Sequence, residues 1–194
     1  MKYLNQLEHR HIRYEHNVEN GGVPEERRNV ATSGCGLCCA CMMVDILTDK
    51  ELTIEECVEL SVGCAANYKV GTSMRRLGPV VAEKFGLDYA ETNELSVVIE
   101  HLRNGGQAIA LVGVPEGQEI GLFTKGGHYI NLISTDGKEF CILDPSYTPT
   151  KYTIPERAGK VNFDNAPYLY CDVNIVQSEL KPERVGYYLF SRKK

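Results

Sequence analysis

A cysteine flanked by glycines, Gly34-Cys35-Gly36, stands directly before a run of helix-forming residues from Leu37 to Leu47. This motif constrains the fold most, because glycines permit a sharp turn and let other backbone approach closely. It predicts that Cys35 lies at the first turn of a helix, where unpaired N–H groups and the helix dipole favour a thiolate. The thiolate is the nucleophilic form of cysteine, so the motif indicates a nucleophile that needs a base and an oxyanion site.

Two other interpretations fit the same residues. Cys35 could be a small apolar residue of a cysteine-rich core helix, since free cysteine is often buried. The spacing Cys35-x-x-Cys38 is also that of zinc ligands. However, Cys38, Cys39 and Cys41 crowd one short helix, and neither a second CxxC nor a histidine pair follows. We therefore expect no metal and no other cofactor.

Composition and charge bound the class of protein. A chain of 194 residues with a net charge of -5 and no basic cluster is not typical of a nucleic-acid-binding domain. The N-terminus lacks the apolar segment of a signal peptide, and no apolar run approaches the length of a membrane span. The sequence therefore predicts a cytoplasmic protein with neither a nucleic-acid nor a membrane partner. Its eight cysteines are expected to be reduced thiols.

The chain is expected to divide into a polar leader segment, residues 1–28, and a single domain, residues 29–194. We interpret the leader histidines His9, His11 and His16 as solvated residues and not as metal ligands.

Hydrophobic periodicity changes from helical to alternating along the domain. Helices are predicted over 37–47, 54–60, 73–85 and 94–103, and strands over 107–114, 128–134, 139–143, 151–154, 169–176 and 186–190. The second helix begins at a capping box formed by Thr53 and Glu56. Helices first and strands after predict an α+β domain, with N-terminal helices packed on a C-terminal antiparallel sheet.

Two residues of the strand region are candidate partners of Cys35. His128 begins a strand after two glycines, and Asp144 follows the strand with which it is expected to pair. A turn at 136–138 lies midway between them, so a hairpin would bring the two side chains together. A carboxylate beside an imidazole fixes its tautomer and stabilises the imidazolium, as a catalytic triad requires. Taken singly, His128 could be an inert histidine at a sheet end and Asp144 a turn residue before proline.

In this order, Gly-Cys35-Gly, Gly-His128 and Asp144-Pro resemble the papain-like cysteine peptidases of the double-glycine (bacteriocin) leader peptidase type and their stand-alone relatives. The resemblance covers about residues 29 to 147. It implies a papain-like fold, a Cys35–His128–Asp144 triad, and an oxyanion hole built from the Cys35 N–H and a side-chain amide six residues earlier. The family has glutamine there, whereas this chain has Asn29, which is one methylene shorter. Asn29 is therefore either the second donor or an ordinary loop residue.

These residues predict a cysteine hydrolase, a peptidase or amidase that acts through a thioester intermediate. Acyl transfer by the same triad is an alternative, as is a catalytically inactive binding module with this fold. The substrate is open among a peptide, a protein tail and a small amide, and the sequence indicates no particular oligomeric state.

Overall fold

Most helices precede most strands along the chain, as the periodicity predicts. The computed structural model describes residues 2–15, 24–67, 71–181 and 183–193, so His16 of the predicted leader lies outside the described residues. The helices are α1 (Val30–Ser33), α2 (Cys35–Leu47), α3 (Ile54–Gly63), α4 (Met74–Phe85), α5 (Leu95–Arg103) and α6 (Val173–Ser178). The strands are β1 (Leu87–Thr92), β2 (Gln107–Val112), β3 (His128–Thr135), β4 (Glu139–Leu143), β5 (Leu169–Asp172) and β6 (Tyr187–Arg192).

The strands of the described residues form one antiparallel sheet in the order β1-β6-β2-β3-β4-β5. The last strand, β6, lies between β1 and β2, with Tyr188 opposite Glu91 on one side and opposite Ile109 on the other. The central strand β3 pairs with both β2 and β4. The predicted α+β class, with helices packed on an antiparallel sheet, is confirmed.

Helices and loops cover both faces of the sheet. One face, which includes Ile109, Tyr129 and Phe190, packs against α2 and α4, and α3 packs on these two helices. The opposite face packs against α5, α6 and the connection between β4 and β5, which contributes Tyr152. Every residue of α2 from Gly36 to Val44 is buried, as expected of a helix that is apolar all round. Among the described residues, no helix combines the length and the apolar character that a bilayer crossing requires.

The strand predicted over 151–154 is wrong. These residues form consecutive turns in the connection between β4 and β5. The turns carry Lys151 and Tyr152 to the side chain of Asp144, where both donate hydrogen bonds. The polar and apolar residues alternate here because Tyr152 packs in the core while its neighbour Lys151 enters a buried polar site. They do not lie on the two faces of a strand.

Two further elements differ from the prediction. The segment 169–176 is strand only as far as Asp172, whose carboxylate accepts a hydrogen bond from the Asn174 N–H and so begins α6. β1 was not predicted; it follows Gly86, which ends α4 with a φ of 69°. Its mixed burial pattern gives little alternation for a sequence-based prediction to detect.

The described part of the predicted leader packs against the domain. Tyr14 is fully buried. The Gln6 side-chain amide donates to the carbonyl of Ala31 at 2.9 Å, and the Tyr3 hydroxyl donates to the Asp144 carbonyl at 2.5 Å. These contacts are not those of a solvated segment, because they join the N-terminal residues to α1, which precedes Cys35, and to the backbone of Asp144. The boundary of the domain itself stays a prediction.

All eight cysteines are free thiols. Cys35 and Cys64 are partly exposed and the other six are buried. Within the described ranges, no group of three or more histidine, cysteine and acidic side chains is arranged to hold a metal ion.

The capping box predicted at the start of α3 is present. The Glu56 N–H donates to the Thr53 hydroxyl at 3.2 Å, and the Thr53 N–H donates to the Glu56 carboxylate at 3.2 Å. We expect Thr53→Ala to lower the free energy of unfolding by about 1 kcal/mol, because an orphan helix N–H loses its acceptor. Chemical denaturation measures the change. Thr53→Ser keeps the hydroxyl and should match the unsubstituted protein; equal stability of the alanine variant would contradict a role for the box.

Candidate active site

Cys35 is the first residue of α2 and is partly exposed in a cleft. The two flanking glycines allow close packing here. A Cβ atom at Gly34 would lie 2.6 Å from the carbonyl oxygen of Val30, and one at Gly36 would lie 3.0 Å from the Thr72 Cβ. Larger residues would therefore push α1 and the segment before α4 away from the start of α2. The glycines hold Cys35 where these elements converge.

His128 and Asp144 meet as the predicted hairpin requires. His128 begins β3, and Asp144 follows the neighbouring strand β4. The His128 Nε2 lies 2.7 Å from the Asp144 Oδ1, and both side chains are buried. This contact fixes the orientation of the imidazole ring and leaves Nδ1 as the ring nitrogen for a second partner.

That second partner is Cys35, which lines the same cleft as His128 and whose thiol pKa is lowered by interaction with the His128 side chain. Burial alone would raise the pKa of the Cys35 thiol. The hydrogen bond and the charge of His128 lower that pKa, and hydrogen bonds from the backbone of Tyr129 and Gly36 lower it further. The net direction is downward, which favours the thiolate.

The pKa of His128 moves in the opposite direction. Burial would lower it, but the charge of Asp144 and hydrogen bonds with Asp144 and Cys35 raise it above its usual value. A cysteine with a lowered pKa beside a histidine with a raised pKa is the pattern of a thiolate–imidazolium pair.

Asp144 is fully buried and has partners on both of its oxygens. In addition to His128, Oδ1 accepts a hydrogen bond from the Ser146 N–H at 2.9 Å. Oδ2 accepts from the Lys151 ammonium at 2.5 Å and from the Tyr152 hydroxyl at 2.6 Å. Burial would raise the pKa of the Asp144 carboxyl, but the charges of Lys151 and then His128 hold it well below its usual range. Asp144 is therefore ionised.

Lys151 and Tyr152 also belong to this site, although their sequence positions did not predict it. The only local signal was the turn Asp-Pro-Ser, which accounts for Ser146. Lys151 lies seven residues beyond Asp144 in a segment that was predicted as a strand, and nothing in its own neighbourhood marks a buried cation.

The side-chain amide of Asn29 is engaged away from Cys35. Its Oδ1 accepts from the Thr32 N–H at 3.2 Å and from the Thr32 hydroxyl at 2.8 Å, which makes Asn29 the N-cap of α1. Its Nδ2 donates to the Glu26 carbonyl at 2.8 Å. Both ends of the amide are thus occupied within its own loop, and Asn29 does not line the cleft. The structure thus shows Asn29 as the N-cap of α1, and the oxyanion-hole role stays a prediction.

The cleft has a volume of about 700 Å³, which is within the range of small-molecule and short-peptide sites. Cys35 and His128 line it together with Gly127. Apolar and charged side chains complete the lining, among them Leu111, Val185, Tyr188, Arg75, Glu183 and Arg184.

Comparison with known proteins identifies the fold. No protein-family model matches the chain, and no curated protein matches it. Among solved structures, it is similar to a candidate C39-like peptidase from Bacillus anthracis, with a TM-score of 0.55 and 10% sequence identity. The match covers 83% of this chain and 90% of the other. At this identity the likeness concerns the fold, and it agrees with the papain-like resemblance of the sequence: the chain has the α+β fold of a C39-like peptidase.

Proposed function

We propose that the protein is a cysteine hydrolase that cleaves a peptide or another amide bond. The observation that carries the proposal is the position of His128, which lies 2.7 Å from Asp144 and lines the same cleft as Cys35. The fold of a C39-like peptidase supports it at the level of architecture. The double-glycine leader peptidase type, suggested by the order of the motifs, belongs to the same proposal.

Acylation would begin from the thiolate–imidazolium pair. The Cys35 sulfur attacks the carbonyl carbon, a C–S bond forms, and the electrons of the C=O double bond move to oxygen. Backbone N–H groups at the start of α2 are the nearest source of stabilisation for this oxyanion. His128 then gives its proton to the nitrogen of the leaving group, the C–N bond breaks, and a thioester is left on Cys35.

Deacylation would return both residues to their starting state. Neutral His128 takes a proton from a water molecule as the water oxygen attacks the thioester carbonyl. The C–S bond breaks, the carboxylic acid product leaves, and the thiolate of Cys35 again faces the His128 imidazolium. Asp144 keeps its charge throughout and stabilises the imidazolium.

The alternative of an inactive binding module explains fewer of the contacts. A module that only binds a ligand has no need of a thiol with a lowered pKa facing the ligand cleft beside a buried histidine and carboxylate. Perturbed titratable groups in a cleft are typical of catalytic sites.

The first prediction concerns selective reactivity. We expect one equivalent of iodoacetamide at neutral pH to alkylate Cys35 in preference to every other cysteine, because the thiolate is the reactive form. Peptide mapping by mass spectrometry identifies the labelled residue. Cys64 is an internal control, since it is also partly exposed. Its thiol donates a hydrogen bond to the Ser61 carbonyl. His128→Ala should slow the labelling of Cys35 by about tenfold or more.

Equal labelling of Cys35 and Cys64, or labelling of Cys35 that does not change in His128→Ala, would contradict the proposed function. Hydrolysis itself is measured as turnover of p-nitrophenyl acetate, which requires Cys35 and should be lost in Cys35→Ala.

A second prediction concerns the pH dependence of this reaction. Asp144→Asn removes the charge that raises the pKa of His128, so the imidazolium loses its proton at a lower pH. Without the imidazolium the pKa of Cys35 rises. We therefore expect the midpoint of Cys35 alkylation against pH to move upward by about one unit or more.

The control for this experiment addresses folding. Asp144→Asn alone leaves the Lys151 ammonium buried beside a neutral amide, and breaking a buried ion pair costs about 3–5 kcal/mol of stability. The double variant Asp144→Asn/Lys151→Met removes both charges and should melt closer to the unsubstituted protein, with the raised midpoint retained. An unchanged midpoint in both variants would remove Asp144 from the mechanism.

A further inference from the structure

Lys151 is a buried cation on the far side of the catalytic carboxylate from His128. Its ammonium group lies 2.5 Å from the Asp144 Oδ2, and the Lys151 side chain is only 9% exposed. The turns over 151–154 place it there, in the connection that follows Asp144. A lysine at this depth needs a specific partner, since isolated buried charges are strongly disfavoured.

His128 and Lys151 share the single charge of Asp144. His128 takes one carboxylate oxygen and Lys151 the other. The Ser146 hydroxyl also joins them, at 2.6 Å from the Lys151 ammonium and 3.1 Å from the His128 Nε2. The two cations also repel each other, so each is stabilised less than it would be if it were the single partner of the carboxylate.

We propose that Lys151 is a positioning residue that acts through Asp144. The positive charge of Lys151 offsets part of the attraction between Asp144 and the imidazolium. His128 is thereby kept able to release its proton to the leaving group. The inference rests on the proposed function, in which His128 is the general acid.

The chemistry of the proposed acylation step explains why such a residue is useful. A general acid works best when its pKa lies near the working pH, because a proton held too tightly does not reach the leaving nitrogen. The charge of Asp144 raises the pKa of His128 in a buried site, and the charge of Lys151 opposes that shift. Burial lowers the pKa of Lys151 below its usual value, and the contact with ionised Asp144 limits this shift. The ion pair of 2.5 Å with Asp144 is the contact expected of a protonated Lys151.

Other titratable groups around the pair come from several elements. The Tyr3 hydroxyl of the N-terminal segment contacts the Asp144 backbone. Burial raises the pKa of Tyr3, of Tyr152 in the turns and of Cys39 in α2, so these groups are neutral at working pH. Arg157 donates to the Lys151 carbonyl, and its charge lowers the pKa of Lys151.

Cys35 is the remaining charged neighbour. Its thiolate raises the pKa of Lys151 and that of His128. Among the groups described, Lys151 and His128 are thus the two cations whose side chains contact the Asp144 carboxylate.

The test removes the charge of Lys151 and follows the protonation of His128. Lys151→Gln keeps a hydrogen-bond donor towards Asp144 and loses only the charge, and Lys151→Met removes both. The pH titration of His128 is read from its ring nitrogen NMR signals in histidine-labelled protein, assigned with His128→Gln. We expect the midpoint at which the imidazolium loses its proton to rise by about one pH unit in Lys151→Gln and in Lys151→Met.

Two matched variants separate the charge from the packing. Lys151→Arg keeps a cation and should leave the midpoint close to that of the unsubstituted protein. Tyr152→Phe removes a neutral donor from the same oxygen of Asp144, so it should shift the midpoint by less than Lys151→Gln does. A purely structural role for Lys151 would lower the melting temperature of its variants without moving the His128 titration.

Selective alkylation of Cys35 is measured in the same samples. If Cys35 of the unsubstituted protein is not selectively labelled, the proposed function and this inference both fail. If the labelling is selective but the His128 midpoint is unchanged or lower in Lys151→Gln and Lys151→Met, the inference about Lys151 is overturned and the proposed function stands.

Discussion

The buried carboxylate of Asp144 is the interaction on which the rest of the site depends. With no exposure to water, its charge requires partners, and it draws them from separate parts of the chain. His128 comes from the start of β3, Lys151 and Tyr152 come from the turns after β4, and Tyr3 of the N-terminal segment contacts its backbone. An imidazole and a thiol can form a reactive pair without such a group, but here the carboxylate fixes the ring that Cys35 contacts. The Asp144 carboxylate therefore determines both the arrangement of the side chains in the site and their electrostatics.

The parts of the site that could be predicted are those encoded by local patterns. Cys35 is marked by two glycines at a helix start, and His128 and Asp144 are marked by their equal distance from a hairpin turn, so short-range geometry brings each into place. Lys151 follows no such pattern. Its contact with Asp144 depends on how the long connection after β4 folds back on itself. The alternating polar and apolar residues of that connection predicted a strand instead.

Asn29 and the N-terminal segment show a second limit of local patterns. An asparagine before a helix is suited to capping, and Asn29 has that local role, which the family resemblance did not indicate. The polar composition of the first residues predicted solvation, yet Tyr3 and Gln6 bind backbone carbonyls of the domain and Tyr14 enters its core. Hydrogen bonds to main-chain carbonyls need no apolar periodicity, so composition does not reveal them.

The position of β6 in the sheet has a consequence for synthesis of the chain. Because residues 187–192 lie between β1 and β2, the strand that follows α4 has no neighbour in the sheet until β6 has been made. β2, β3 and β4, by contrast, pair with strands close by in sequence and can associate early. During translation β1 therefore has no strand partner until β6 is made, whereas α2, which carries Cys35, packs directly against β3. The cleft beside Cys35 is complete only after β6 has been made, because Val185 and Tyr188 form part of its lining.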